Sequence, residues 1–219
     1  MDTASEIAGS HETRERVLQA AGEIFAEHGF AASRVREICQ RAGANIASIN
    51  YYFGDKESLY RQVLHLACEF VLQKYPVDEG LQPGATPSQH LQAFVRSYLR
   101  RMFDQDRPCW HGKVMMREML EPTIALDEIV ERLVRPQFQV LAGIVRDLGG
   151  GALSDQDIRL CCESIIGQCV YYRQAKSILH RLRPGAGYGP GDVDLLSGHV
   201  ARFSLAAIEE LASQRRAAK

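Results

Sequence analysis

With 219 residues the chain is long enough to bury a real core, in one large domain or two small ones. Its 26 Lys and Arg stand against 27 Asp and Glu, which excludes a generally basic nucleic-acid coat, so any binding to DNA must be local. Six cysteines without regular spacing argue for a reducing cytosol rather than a disulfide scaffold; with no cleavable leader and no run of about 18 apolar residues, a soluble cytoplasmic protein without a membrane partner is expected.

Residues up to about Ser10 show no periodic pattern and read as a frayed arm. A first helix is expected over about 13–27, with Val17, Leu18, Ala21, Ile24, Phe25 and His28 in one stripe and Gly29 stopping it. Val35, Ile38 and Cys39 give a short second helix one apolar face, while Arg36, Gln40 and Arg41 point elsewhere and Ser33 is placed to cap its start. Gly43 follows, where a left-handed backbone is free of steric cost and the chain can reverse sharply. In the next short helix, 46–53, Ile49 and Phe53 sit four apart and face inward, which leaves Ala47, Ser48, Asn50, Tyr51 and Tyr52 outward. A small, polar and aromatic face suits a helix that enters a major groove about 12 Å wide, its first turns on base edges and its flanks on phosphates. Local charge is modest: Arg34, Arg36, Arg41 and Lys56 against Glu37 and Asp55. Packed on Phe25, Phe30, Val35, Ile38, Ile49 and Phe53, the three helices make a helix-turn-helix headpiece.

From 56 to 75 a longer helix with Leu59, Tyr60, Val63, Leu64, Ala67, Phe70 and Val71 inward reads as a connecting strut. A Gly- and Pro-rich loop follows. Thr86 as cap, Pro87 at the first helical position and Gln89 three residues after the cap begin a helix that reaches about Phe103. Pro108 opens another, carrying Trp110, Val114, Met115, Met119 and Leu120, and Pro122 with Thr123 marks its end. The segment 123–148 is helical again and must be kinked or divided at Pro136. Ser154, with Asp157 three residues on, caps a long helix expected to reach 182. In it Ile158, Ile165, Tyr172 and Leu179 recur every seven residues beside Cys161, Cys162 and Cys169. A loop over 184–191 leads to a last helix with Leu196, Val200, Phe203, Ala207 and Leu211 along one side. Two such pairs from two chains would close a four-helix bundle around a two-fold axis. The expected homodimer interface is therefore Ile158, Ile165, Cys169, Tyr172, Leu196, Val200 and Phe203, against the alternative of packing within one chain.

Tyr98, Met102, Phe103, Trp110, Met115, Met119 and Phe138 are flexible or aromatic, suited to an adaptable pocket for a largely apolar small-molecule effector. His111, Arg117 and Glu118 are its candidate polar anchors, and plain core packing is the competing reading. Cys109 with His111, and His65 with Cys68, fall short of a zinc site, so neither metal nor cofactor is expected. Cys161, Cys162 and Cys169 read as buried small hydrophobes rather than a thiol switch. No G-x-S-x-G, H-E-x-x-H, phosphate-cradling loop or dinucleotide fingerprint is present, so a non-enzyme is expected. A small-molecule-processing enzyme and a helical interaction adaptor without DNA binding are the alternatives.

The segment from Val35 to Lys56, with R-E-I-C-Q-R-A-G, a short turn and then Y-Y-F-x-x-K-E-x-L, resembles the helix-turn-helix of the TetR family of transcriptional regulators, over about 13–64. The form N-I-A-S-I-N-Y-Y-F-G-D-K, with R-E-M-L-E-P-T-I-A and R-P further on, is similar to the subfamily whose distinct C-terminal domain contains a Pro-broken helix. The resemblance implies an all-α homodimer. Residues 1–55 form an N-terminal three-helix headpiece for double-stranded operator DNA; residues 56–219, with 56–75 as connecting helix, form a C-terminal helical ligand-binding and dimerisation domain. By position it implies that Arg36, Ile46, Ala47 and Asn50 face base edges and that Ser48, Tyr51, Tyr52 and Lys56 hold phosphates. Asn50 departs from the family, which usually has Tyr there, and an amide pairs with adenine N6 and N7. The implied function is a ligand-responsive transcriptional regulator, a repressor released from a palindromic operator by its effector.

Overall fold

The computed structural model describes residues 3–104, 108–185 and 190–218, and every regular element among them is helical. None of these helices is long and apolar enough to cross a membrane. By packing the chain forms two compact units: Met1–Val71 with Gln105–Leu133, and Leu72–Asp104 with Val134–Lys219.

The first unit contains α1 (Thr3–Ala32), α2 (Val35–Ala42), α3 (Ile46–Phe53), most of α4 (Lys56–Lys74), and, after α5 (Pro87–Phe103), α6 (Cys109–Leu120) and the short α7 (Ala125–Ile129). The segment 3–10, expected to be frayed, is helical. Its Ala and Glu are good helix formers, and Ser10 Oγ lies 3.0 Å from the Tyr52 hydroxyl, which ties the segment to the headpiece. Gly29 interrupts α1 with φ 77°. His28 does not join the apolar stripe; it is exposed, with Nε2 3.4 Å from Glu37 Oε1. Ser33 does not cap α2 either. It is buried, and its hydroxyl donates to the carbonyls of Gly29 and Ile24, closing the end of α1, while Arg34 occupies the cap position of α2 without a side-chain bond.

Val17, Ile24, Phe25, Ile38, Ile49, Leu59, Val63, Leu64 and Val114 are fully buried in one cluster, each contributing about 1.5–3 kcal/mol of burial. Trp110 lies flat on Gly22, where a Cβ would come within 2.5 Å of the indole, and donates to Gln19 Oε1 at 3.0 Å. Arg117 fastens α6 to α1 by donating to the carbonyls of Ala26 at 2.9 Å and Glu27 at 2.8 Å. Because α4 and α6 share this core, packing divides the chain at other places than residues 55 and 56.

The second unit is built from α5, α8 (Arg135–Gly149), α9 (Asp155–Gln174), α10 (Lys176–Leu182) and α11 (Pro190–Ala217) around Leu91, Phe94, Leu99, Leu141, Val145, Ile165, Val200 and Ile208. The expected start signals are present. Thr86 and Gln89 form a reciprocal capping box, as do Ser154 and Asp157. Asp157 also receives both Nε, at 2.9 Å, and Nη2, at 2.8 Å, of Arg215, joining the start of α9 to the end of α11. One expectation is met in a form the sequence did not specify, and one changes. The segment 123–148 is divided: α7 passes into a wide π turn, Val130–Val134, before α8. Pro136 then falls in the first turn of α8, where its missing N–H costs nothing, and a widened turn relieves the clash of its ring. The long helix expected to reach 182 ends at Gln174, and Ala175 at φ −84°, ψ 7° separates it from α10. Residues 186–189 of the expected 184–191 loop lie outside the described residues.

Candidate nucleic-acid interface

The placement of α3 follows from a few local bonds. Gly43 closes α2 at φ 60°, ψ 37°, the left-handed region that side chains disfavour. Asn45 then caps α3, its Oδ1 accepting from the Ser48 amide at 2.8 Å and the Ser48 hydroxyl at 3.0 Å, a contribution of about 1 kcal/mol. Ile49 and Phe53, 0% and 5% exposed, seat the helix on the core. Arg41 reaches back as a two-pronged pair to Glu27 at 2.8 and 3.0 Å, and Arg16 donates to the Ala42 carbonyl. The Arg41 guanidinium holds the Glu27 carboxyl below its usual range, and its own charge is spent locally.

What remains outward is a mixed face. Ile46 is 51% and Tyr51 81% exposed, and Ala47 and Asn50 are exposed beside them. Arg36 on α2 is exposed too. Tyr52 is half-buried, edge-on to Tyr51 with ring centroids 4.9 Å apart. Ser48 is half-buried, its hydroxyl directed to Asn45. Lys56 is also half-buried, with Nζ 4.6 Å from the centroid of Phe30, and burial pushes its pKa down. The headpiece thus displays an amide, two phenols, methyl groups and guanidinium groups around one eight-residue helix. Sequence reasoning counted Arg34 only as local charge and did not single out Asn45. Arg34, exposed and without a carboxylate in ion-pair range among the described residues, precedes α2; Asn45, three residues before Ser48, carried a readable capping spacing.

The residues expected to line an effector pocket fall into two separately packed units. Tyr98, Met102, Phe103 and Phe138 are half-buried against the core of the second. Trp110, His111, Met115, Glu118 and Met119 belong to the first. There Trp110 is a core pillar rather than a pocket wall, and Glu118, 0% exposed, accepts from the Tyr60 hydroxyl at 2.8 Å and from Thr123 N and Oγ1. Arg117 is committed to α1, Met115 Sδ lies 3.3 Å from Cys68 Sγ, and Met119 is exposed.

The expected dimer residues need correction. Ile158, Ile165, Cys169 and Val200 are 5% exposed or less within the chain itself, so they have no free surface for a partner. Tyr172 and Leu196 are half-buried, and Phe203, 61% exposed, is free. The seven-residue spacing found the inner face of α9; its outer apolar face carries Leu160 and Tyr171. Leu160, Ser164, Phe203, Ala207 and Leu211 line a groove of about 270 Å³ between α9 and α11. Burial pushes the thiols of Cys162 and Cys169 up to about 12, which suppresses thiolate chemistry. Among the described residues no three His, Cys, Asp or Glu side chains gather as metal ligands.

Residues 17–63 match the profile of bacterial regulatory proteins of the tetR family, and residues 87–208 match the C-terminal domain of the HTH-type transcriptional dual regulator CecR. The dual regulator CecR of Shigella flexneri is 28% identical over 176 residues, covering 77% of this chain and 78% of its own. The transcriptional repressor NicS of Pseudomonas putida is 33% identical over 90 residues, 41% of this chain and 42% of its own. Among solved structures, a putative transcriptional regulator of Pseudomonas aeruginosa superposes with a TM-score of 0.66 at 16% identity, covering 90% of this chain and 92% of its own. The regulator FadR of Bacillus subtilis, in complex with stearoyl-CoA, gives 0.61 at 19% identity, covering 87% and 97%.

Proposed function

Because the chain belongs to the TetR family of helix-turn-helix transcriptional regulators, with a C-terminal domain of the CecR type, we propose that its headpiece, residues 1–55, reads a palindromic operator with the outer face of α3. The observation that carries this reading is the division of that helix: Ile49 and Phe53 are spent on the core, while Asn50, Tyr51, Ala47 and Ile46 face outward. In this reading Arg36, Ile46, Ala47 and Asn50 meet base edges, with the Asn50 amide suited to adenine. Tyr51, Tyr52, Ser48 and Lys56 hold the phosphates that fix register.

The protein acts in the cytoplasm as a homodimer that represses and is not an enzyme. Its dimer face is the outer side of α9 and α11 around Leu160, Phe203 and Ala207, since that apolar surface is uncovered in the single chain. The two reading helices then enter successive major grooves roughly 34 Å apart. Residues 56–219 hold a small, largely apolar effector and favour, once it binds, a dimer form in which α4 carries the headpieces out of that spacing. Moving operator from mostly bound to mostly free takes about 5.5 kcal/mol of differential effector affinity.

Selection of duplexes from a random pool by the full-length protein tests this reading. It predicts two inverted half-sites separated by about one helical turn. Recovery of unrelated sequences, with binding governed by salt alone, would refute it.

A further inference from the structure

Arg101, on α5 in the second unit, is 6% exposed, yet among the described residues it meets neutral partners only. Its Nε donates to the Ser97 carbonyl at 3.3 Å, Nη1 donates to Gln137 Oε1, and the guanidinium lies 5.5 Å from the Tyr98 ring centroid. Its Nη2 is buried with no hydrogen-bond partner among the described residues. Asp104, three residues on, is engaged by Lys74 Nζ at 3.0 Å. Burial pushes the Arg101 pKa down only to about 10, so the cation persists at neutral pH.

A charge removed from water and left unneutralised is unfavourable, and an arginine kept for packing alone would be served better by an apolar side chain of similar size. An anion changes the balance, because the guanidinium fork matches the geometry of a carboxylate. The side chains nearby suit the rest of such a molecule. Tyr98, stacked on Phe94 at 6.2 Å, has its hydroxyl pKa raised by burial, and Met102, Phe103 and Phe138 are half-buried against the same core. Gln137, the neutral acceptor now facing Nη1, follows Pro136 just after the π turn.

Resting on the reading that residues 56–219 hold an effector, we propose that Arg101 is the anion anchor of that site, and that the effector is a carboxylate carried on an apolar or aromatic body. Tyr98 and Arg101 then receive the charged end, and Met102 and Phe138 accommodate the remainder.

Full-length protein is titrated by calorimetry with octanoate and benzoate, and with octanamide and benzamide as neutral counterparts, and thermal midpoints are read alongside. The acids are expected to bind and raise the midpoint while the amides do not. In Arg101→Met the affinity for the acids should fall about thirtyfold or more, with an unliganded midpoint no lower than that of the wild type. Arg101→Gln, which keeps a hydrogen-bonding end without the charge, should lose the acids equally. Equal binding of amides and acids, unaltered binding by both variants, or no binding of either acid at millimolar concentration overturns the anchor. Operator retention is measured on the same samples. Acids that bind through Arg101 without releasing operator uphold the anchor and reject the effector switch; protein that retains operator but binds neither acid rejects the anchor and leaves the DNA reading standing.

Discussion

At the residue scale, single atoms decide whether a side chain faces the core or a ligand. Lys56 is the sharpest case, because its ammonium rests over Phe30 while its place just after α3 suits a phosphate. Lys56→Ala is expected to weaken binding evenly across DNA sequences and to flatten the salt dependence by about one ion. An unchanged slope in a salt titration would make Lys56 a packing residue. Gly22→Ala should destabilise the first unit by about 1–3 kcal/mol, since the added carbon meets the Trp110 ring at 2.5 Å; urea unfolding followed by the fluorescence of the single tryptophan measures it. Residues whose environment is set by nearest neighbours along the chain were legible: Ile49 and Phe53 inward, Asn50 and Tyr51 outward, Gly43 at the turn. Those set by distant partners were not. Trp110 is a pillar because Gly22 lies under it, Ser33 turns back to Ile24 rather than forward, and Arg101 is buried beside Gln137, none of which any local spacing announces.

At the scale of elements, caps and breaks carry the placement of the site. Asn45→Ala removes the bonds that begin α3 and should cost about 1 kcal/mol, with operator affinity falling further than stability because the reading helix loses its fixed start. The start of α9 makes stability depend on pH. The Arg215 guanidinium, then the Ser154 hydroxyl and amide, hold the Asp157 carboxyl well below the usual carboxylate range. In the unfolded chain that group titrates near pH 3.9, so its contribution is complete above about pH 4 and is lost as pH falls toward its lower native value. Thermal midpoints from pH 7 to 3 should therefore fall less steeply for Asp157→Asn, which starts lower at pH 7. Start signals were readable in α5 and α9 because a cap and its partner lie three residues apart. The break at Ala175 was not, because seven-residue spacing continues through it and only the backbone turns. Pro136 announced a division, and its form, a π turn ahead of a helix beginning at Arg135, depends on packing that no local pattern encodes.

At the scale of the whole molecule, the proposed reading depends on two headpieces held at one spacing. Hydrophobic repeats in α9 and α11 identified a pair of packed helices, but they pointed to faces already used within the chain, since periodicity marks burial and not its partner. Phe203 and Leu160 are exposed on the outer side of these two helices. Phe203→Glu should convert the dimer to a monomer by sedimentation with helical content unchanged, and operator affinity should drop roughly tenfold or more once the half-sites bind independently. The decisive measurement is the affinity of wild-type protein and of Asn50→Ala for the selected operator and for each single-base variant of it, at fixed salt. The expected result is a loss of about 1–3 kcal/mol on the native operator, with discrimination relaxed at one symmetric base pair and retained elsewhere. Equal affinities of the two proteins for every duplex would contradict base reading by α3.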